Sequence, residues 1–243
     1  MTLFDIPYFL RSFPNLLMHL PITLIVAFVA FFISLLLGFV TALIKIYRVP
    51  VLKYFAGIYI SFIRGTPLLV QLYLIAYGIP KILYYFQYQY GAFGNYNVAL
   101  ISPIVYAIVA FSINVGAYNA EMIRSSIEAV GAGQFEAAQS VGMTQVQLMR
   151  RIIIPQALNV AIPNLGNTII SSIKETSFIF VIGIIDLMGE AKIIGARGLA
   201  FLEVYVAAAL IYWVVCFGLE KLFAHLEKRT KKYEKSIRGG TDA

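Results

Sequence analysis

Glu136-Ala137-Ala138-Gln139-Ser140-Val141-Gly142, followed after nine residues by Ile152-Ile153-Ile154-Pro155, is the stretch on which the reading of this chain turns. It is short and largely polar, and it lies between apolar runs long enough to cross a bilayer. Gln134–Val141 reads as one short helix. Gly142 ends it, because glycine readily takes the left-handed conformation that closes a helix. Thr144-Gln145-Val146-Gln147 is a capping-box pattern that starts a second helix. Pro155 suits the boundary into the next apolar run. Val146, Met149, Ile152 and Ile153 recur at i, i+3, i+6 and i+7 and would form one sticky face. Two readings stand on this local pattern alone. One is an amphipathic helix lying in the interface; the other is a docking element that receives force from a soluble partner.

The composition sets the surroundings. Of 243 residues, 60% are hydrophobic and 13% charged, where soluble domains carry about 25% charged residues. The deficit points to lipid as the solvent. The net charge of +7 does not indicate nucleic acid, because seven of the 19 Lys and Arg residues fall between Lys221 and Arg238, directly after an apolar span. Anionic lipid headgroups are their natural neighbours. The single cysteine, Cys216, sits in an apolar run, so an intrachain disulfide is impossible and the thiol reads as a buried, inert one. No cleavable-signal pattern opens the chain.

A spanning helix needs about 20 mostly apolar residues, and five segments qualify: Pro21–Ile44, Tyr54–Ile79, Val98–Ala120, Val160–Ile185 and Leu199–Leu219. The second is interrupted at Arg64-Gly65-Thr66-Pro67, and the fourth holds Lys174-Glu175. In lipid every backbone amide must be satisfied within the segment, so these runs are expected to be helices. Residues 1–20 form an N-terminal segment ahead of the spans. Residues 21–222 are the membrane domain, with the 128–155 loop inside it, and 223–243 are a basic tail. Lys45, Arg48, Lys53, Arg124, Arg150, Arg151 and the cluster after Lys221 fall on one side. Arg11, Lys81, Lys192 and Arg197 fall on the other. This asymmetry places the N-terminus outside and the C-terminus in the cytoplasm. Tyr84–Tyr96 is then expected as an external loop, its aromatic rings either at the interface or against a docking partner.

Polar residues within the spans are costly and need a partner or a hydrated cavity. Asn114, Tyr118, Glu121 and Ser125 share one face of the third span. Asn164, Asn167, Thr168, Ser171, Ser172 and Glu175 share one face of the fourth. Both stripes are expected to point at the bundle interior or at a hydrated path; small polar residues that merely hold helices together are the other reading. Arg64 and Lys174 are available ion-pair partners for Glu121 and Glu175. Pro67 removes a backbone hydrogen bond and weakens the second span at mid-membrane, as a packing kink or beside a site. No phosphate-binding loop, no metal-ligand spacing around His19 or His225, and no nucleophile-plus-base pair is present.

The 20-residue stretch resembles the EAA motif of ABC importer permeases: Glu-Ala-Ala, three residues, Gly, nine residues, Ile, one residue, Leu-Pro. Ile154 replaces the usual Leu. Arg64-Gly65-Thr66-Pro67-Leu68-Leu69-Val70-Gln71, Gly116-Ala117-Tyr118-Asn119-Ala120-Glu121 and Lys174-Glu175-Thr176-Ser177 are similar to the polar amino acid branch, the histidine, glutamine, arginine and cystine permeases. Asn119 departs from the apolar residue or Thr commoner there. The resemblance runs from the first span to about Leu222. It implies an all-α integral membrane protein with the type I ABC importer permease fold, about five transmembrane helices, in a prokaryotic cell membrane. It further implies that Glu136, Ala137, Ala138, Gly142, Ile152 and Pro155 couple to an ATPase. The expected substrate path comprises Glu121, Asn114, Tyr118, Asn119, Arg64, Asn164, Asn167, Ser171, Lys174 and Glu175, with Glu121 contacting a substrate ammonium group. The implied partners are two ATP-binding subunits, which carry the ATP and Mg, a second permease subunit (identical or paralogous), and an external substrate-binding protein. An ion-gradient-driven secondary amino acid carrier is the alternative.

Overall fold

The computed structural model describes residues 3–93 and 97–238, with side chains through residue 229. No strand occurs among the described residues. Helix α1 (Ile6–Ile46) is capped by the Asp5 carboxylate, which accepts from the Tyr8 amide at 2.9 Å. It is followed by α2 (Leu52–Arg64), α3 (Leu68–Tyr90) and α4 (Pro103–Glu128). Two short helices, α5 (Ala132–Ser140) and α6 (Gln145–Leu148), lead into α7 (Ile154–Glu175), and α8 (Leu187–Gly198) and α9 (Phe201–Arg238) complete the chain.

Four helices among the described residues are long and apolar enough to cross a membrane: α1, α3, α4 and the Phe201–Arg229 part of α9. Five spans were expected. The fourth of them, α7, is 22 residues long but carries the polar stripe, which lowers its apolar content. It also ends sooner than the sequence suggested. The backbone tightens into a 3-10 turn over Thr176–Ile182, which Gly183 closes with φ 85°. Lys174 and Glu175 therefore stand at the end of this helix rather than in its middle. The second expected span is two helices. Gly65-Thr66-Pro67 separates α2 from α3, and α3 then continues to Tyr90. Tyr84–Tyr90 is thus helix rather than loop. Tyr85, Phe86 and Tyr90 pack on one another, and Tyr96 lies outside the described residues. Residues 6–20 are continuous with the first span: Leu16 is fully buried against Leu187, Ala191 and Val204, so this stretch packs on α8 and α9.

The core is built on α1 against α4. Val26 and Ala30 of α1 pack with Ala107, Ala110 and Phe111 of α4. Gly38 allows the closest approach: a Cβ there would stand 2.7 Å from the Asn119 Cβ and 3.0 Å from the Ala120 amide. Helices α7 and α9 close the other side through Ile169, Ile173 and Phe223.

Candidate functional site

The break between α2 and α3 is held by backbone and side-chain hydrogen bonds, which matter among apolar helices because each unpaired group in hydrocarbon costs several kcal/mol. The Gly65 amide donates to the Ser61 carbonyl at 2.9 Å. The Thr66 hydroxyl donates to the Phe62 carbonyl at 2.8 Å. The Gln71 carboxamide donates to the Ile63 carbonyl at 2.8 Å. Pro67 has no amide proton and so leaves no donor bare.

This break forms one wall of a cavity of about 600 Å³. Thr66, Pro67 and Leu68 line it, with Asn114, Val115, Tyr118 and Met122 from α4. Asn164, Asn167, Thr168, Ser171, Ser172 and Glu175 from α7 supply the opposite wall. Asn114 and Tyr118 of the first polar stripe thus meet the whole second stripe across one space, while Glu121 and Ser125 of the first do not line it. Asn114 is 5% exposed and reaches back to Gln71, donating through Nδ2 to Oε1 at 2.9 Å.

Four residues assigned to the path from the sequence are not part of this wall. Asn119 is fully buried and donates to the Ser34 hydroxyl at 2.9 Å. It stands five residues, or about 140° of helix, from Asn114, which turns it toward α1. Glu121 is paired with Lys45 of α1, and with Arg124 at 2.7 Å; Arg124 also holds Glu128 at 2.6 Å. This network ties the end of α1 to the end of α4 through the Glu121 carboxylate. Among the described residues Arg64 pairs with no acid; its guanidinium lies over the Tyr118 ring, 5.5 Å from the centroid. Lys174 lines a separate cavity of about 570 Å³ with Tyr212, Trp213 and Cys216 of α9.

The 132–155 segment has its own small core. Ala138, Leu148, Ile153 and Ala157 pack with Ile127 and Val130, and Ile46 of α1 and Ile123 of α4 lie against them. The capping box at Thr144 closes in both directions, at 3.0 and 3.3 Å, and Gly142 has φ 74°. Between α6 and α7 the backbone makes a π turn over Met149–Ile153. Pro155 explains its place: lacking an amide proton, it cannot continue the α-helical ladder back to Arg151. The turn has a packing consequence. Leu148 and Ile153, both fully buried, would stand about 140° apart on an unbroken α-helix, and the i→i+5 turn brings them to one side.

Two expectations for this segment change accordingly. Ala138, expected at a partner's surface, is 2% exposed and belongs to the local core, whereas Glu136, Ala137 and Gly142 are exposed. Ile152 is half-buried against that core, while Pro155 is exposed. The most exposed large apolar side chains of this segment are Val141 and Val146, 76% and 74% exposed on either side of Gly142. Val146 was read with the face of Met149, Ile152 and Ile153, and the π turn separates them. Gln71 was also missed as a structural residue; a glutamine four residues after a helix-breaking proline was the available signal. Among the described residues no group of three or more His, Cys, Asp or Glu side chains is placed to hold a metal ion.

Comparison with known proteins gives a concordant picture. The family model for binding-protein-dependent transport system inner membrane components matches residues 34–232. The chain is 38% identical over 224 residues to the L-cystine transport system permease protein TcyL of Bacillus subtilis (strain 168), covering 92% of this chain and 90% of that one. It is 39% identical over 229 residues to the probable amino-acid ABC transporter permease protein PatM of Vibrio harveyi, covering 94% and 97%. Among solved structures, a chain of an amino acid ABC transporter with histidines superposes with a TM-score of 0.80 at 39% identity, covering 94% of this chain and 100% of that one. A chain of the MetNI methionine ABC transporter, inward facing, is similar in fold at a TM-score of 0.61 and 16% identity, covering 86% and 95%.

Proposed function

The chain belongs to the family of binding-protein-dependent transport system inner membrane components, and we propose that it is the permease subunit of an ATP-driven importer of polar L-amino acids. The observation that carries this reading is the anchoring of the EAA turn. Glu136, Ala137, Val141, Gly142 and Val146 are exposed, while Ala138, Leu148 and Ile153 fix the same turn to the ends of α1, α4 and α7. A push on the exposed side has a packed route to the helices that wall the cavity, because close-packed interiors transmit strain.

In this reading the cavity between α4 and α7 is the substrate path. Asn114, Tyr118, Asn164, Asn167, Ser171 and Glu175 face the amino acid, and Arg64 orders the Tyr118 ring. The Lys and Arg asymmetry puts the 132–155 turn and the C-terminus in the cytoplasm, and α7 crosses the membrane as the fifth span. Two ATP-binding subunits grip the exposed turns of two permease subunits, with Glu136, Ala137 and Gly142 at the contact beside the Val141–Val146 pair. An external binding protein delivers the amino acid. Nucleotide-driven closure of the ATPases moves the turns together and switches the cavity from inward- to outward-facing, as packed bodies rotate about an interface. The names of the relatives support amino acids as the substrate class, L-cystine among them.

Uptake into proteoliposomes holding the chain, its ATP-binding subunit and its binding protein tests the proposal. Accumulation of a labelled polar L-amino acid that requires ATP on the ATPase side is expected. Accumulation without ATP, driven by a proton or sodium gradient, would identify a secondary carrier instead.

A further inference from the structure

The carboxamide of Gln71, 4% exposed, is held at both ends. Its Nε2 donates to the Ile63 carbonyl at 2.8 Å and to the Thr66 carbonyl and hydroxyl at 3.1 and 2.7 Å. The Thr66 hydroxyl has spent its own proton on the Phe62 carbonyl. Carbonyl oxygens cannot donate, so only one orientation of the amide satisfies the network: nitrogen toward the helix break, oxygen toward α4. Turned over, Oε1 would face three oxygen atoms and leave the Ile63 carbonyl bare. The constraint then passes along the chain of bonds. Gln71 Oε1 can only accept, so Asn114 must offer Nδ2, as it does at 2.9 Å. With Nδ2 held by Gln71, Asn114 Oδ1 is the acceptor this side chain has left to offer.

We propose that Gln71 is a positioning residue that sets the polarity of the cavity: it makes Asn114 present a hydrogen-bond acceptor, and that acceptor takes the substrate ammonium group. The proposal rests on the reading of this cavity as an amino acid path. Part of the opposite wall has the same bias. Thr168 and Ser172 donate their hydroxyl protons to backbone carbonyls of α7, each at 2.9 Å, so lone pairs are what these hydroxyls have left. The Glu175 carboxylate lines the same space. A wall rich in acceptors suits a donor-rich cationic group.

The test is direct binding of radiolabelled L-arginine, L-histidine, L-glutamine and L-cystine to the assembled transporter in nanodiscs. The external binding protein is left out, so that the membrane cavity alone is read. In Gln71→Leu the Asn114 amide is free to turn its nitrogen to the ligand. The Kd of each amino acid that the wild type binds then rises about tenfold, the loss expected for one charge-assisted hydrogen bond. Adding Asn114→Asp to that variant brings the Kd back toward wild type, because a carboxylate has no nitrogen to present. Asn114→Leu leaves the bonds of Gln71 to the break intact and raises the Kd by a similar factor, so the proposal stays testable if Gln71→Leu does not assemble. An unchanged Kd in either leucine variant, or a loss that Asn114→Asp does not rescue, overturns the positioning role. A wild-type complex that hydrolyses ATP but binds none of the four amino acids overturns the amino acid reading, and the proposal with it.

Discussion

Ala137 and Ala138 are neighbours on α5, and the structure gives them opposite fates. Ala138 is 2% exposed among Ile127, Leu148 and Ile153, while Ala137 faces outward. Replacing each with valine separates packing from helix propensity. Both variants carry the same propensity cost, about 0.5 kcal/mol. Only Ala138→Val adds two methyl groups to a filled core, at about 1–3 kcal/mol. The difference should appear as local opening of 132–153, because this segment has its own small core and sits at the edge of the bundle. Amide hydrogen exchange of the purified permease in nanodiscs reads it directly. Exchange across 132–153 should be about 5- to 150-fold faster in Ala138→Val than in Ala137→Val, following the factor of ten per 1.4 kcal/mol. The melting of the rest of the bundle should differ little. Equal exchange in the two variants would refute the assignment of Ala138 to the core, and with it the account of how the turn is anchored.

Gly38→Ala should destabilise the α1–α4 contact by about 1–3 kcal/mol, because the new methyl meets the Asn119 Cβ and the Ala120 backbone rather than a flexible chain end; thermal unfolding of the solubilised permease checks it. Glu121→Gln should loosen the tie between the ends of α1 and α4 by about 1 kcal/mol, the scale of a partly exposed ion pair. It should leave the Kd for amino acids unchanged, and a weakened Kd would return Glu121 to the substrate path. Pro155→Ala restores the amide proton that the π turn does without. It should let the α-helical ladder close, turn Leu148 and Ile153 apart, and lower ATP-driven uptake while the complex still assembles.

Much of this arrangement was legible in the residues. The capping box at Thr144, the left-handed glycine at 142 and the break at Pro67 follow from local backbone chemistry, and each is where its residues require. The two polar stripes were legible because helical spacing alone puts Asn114 with Tyr118, and Asn164 with Ser171. What spacing does not give is the neighbour. Glu121 shares its face with Asn114, yet Lys45 of α1 reaches it first, and a single-sequence pattern does not show how far α1 extends along α4. Asn119 was assigned from the motif around it, although its position five residues past Asn114 points it to Ser34. The π turn has a local cause in Pro155, but its effect on Leu148 and Ile153 depends on the core that receives them. That is why Ala138 and Ala137 read alike in sequence and differ in place. The length of α3 was underestimated because aromatic residues suit an interfacial loop and a helix end equally well.

The claim on which the rest depends is that the exposed turn around Gly142 receives the force of an ATPase on the cytoplasmic side. The chain has one cysteine, so Ala137→Cys in a Cys216→Ser background provides a single reporter thiol on that turn. The measurement is crosslinking of this thiol to a cysteine in the ATP-binding subunit, in sealed membrane vesicles of known orientation, with and without ATP. The account predicts a crosslink whose yield changes with nucleotide, and labelling by a membrane-impermeant thiol reagent from the cytoplasmic face alone. Labelling from the outer face, or a thiol that reaches no subunit under any nucleotide condition, would contradict it.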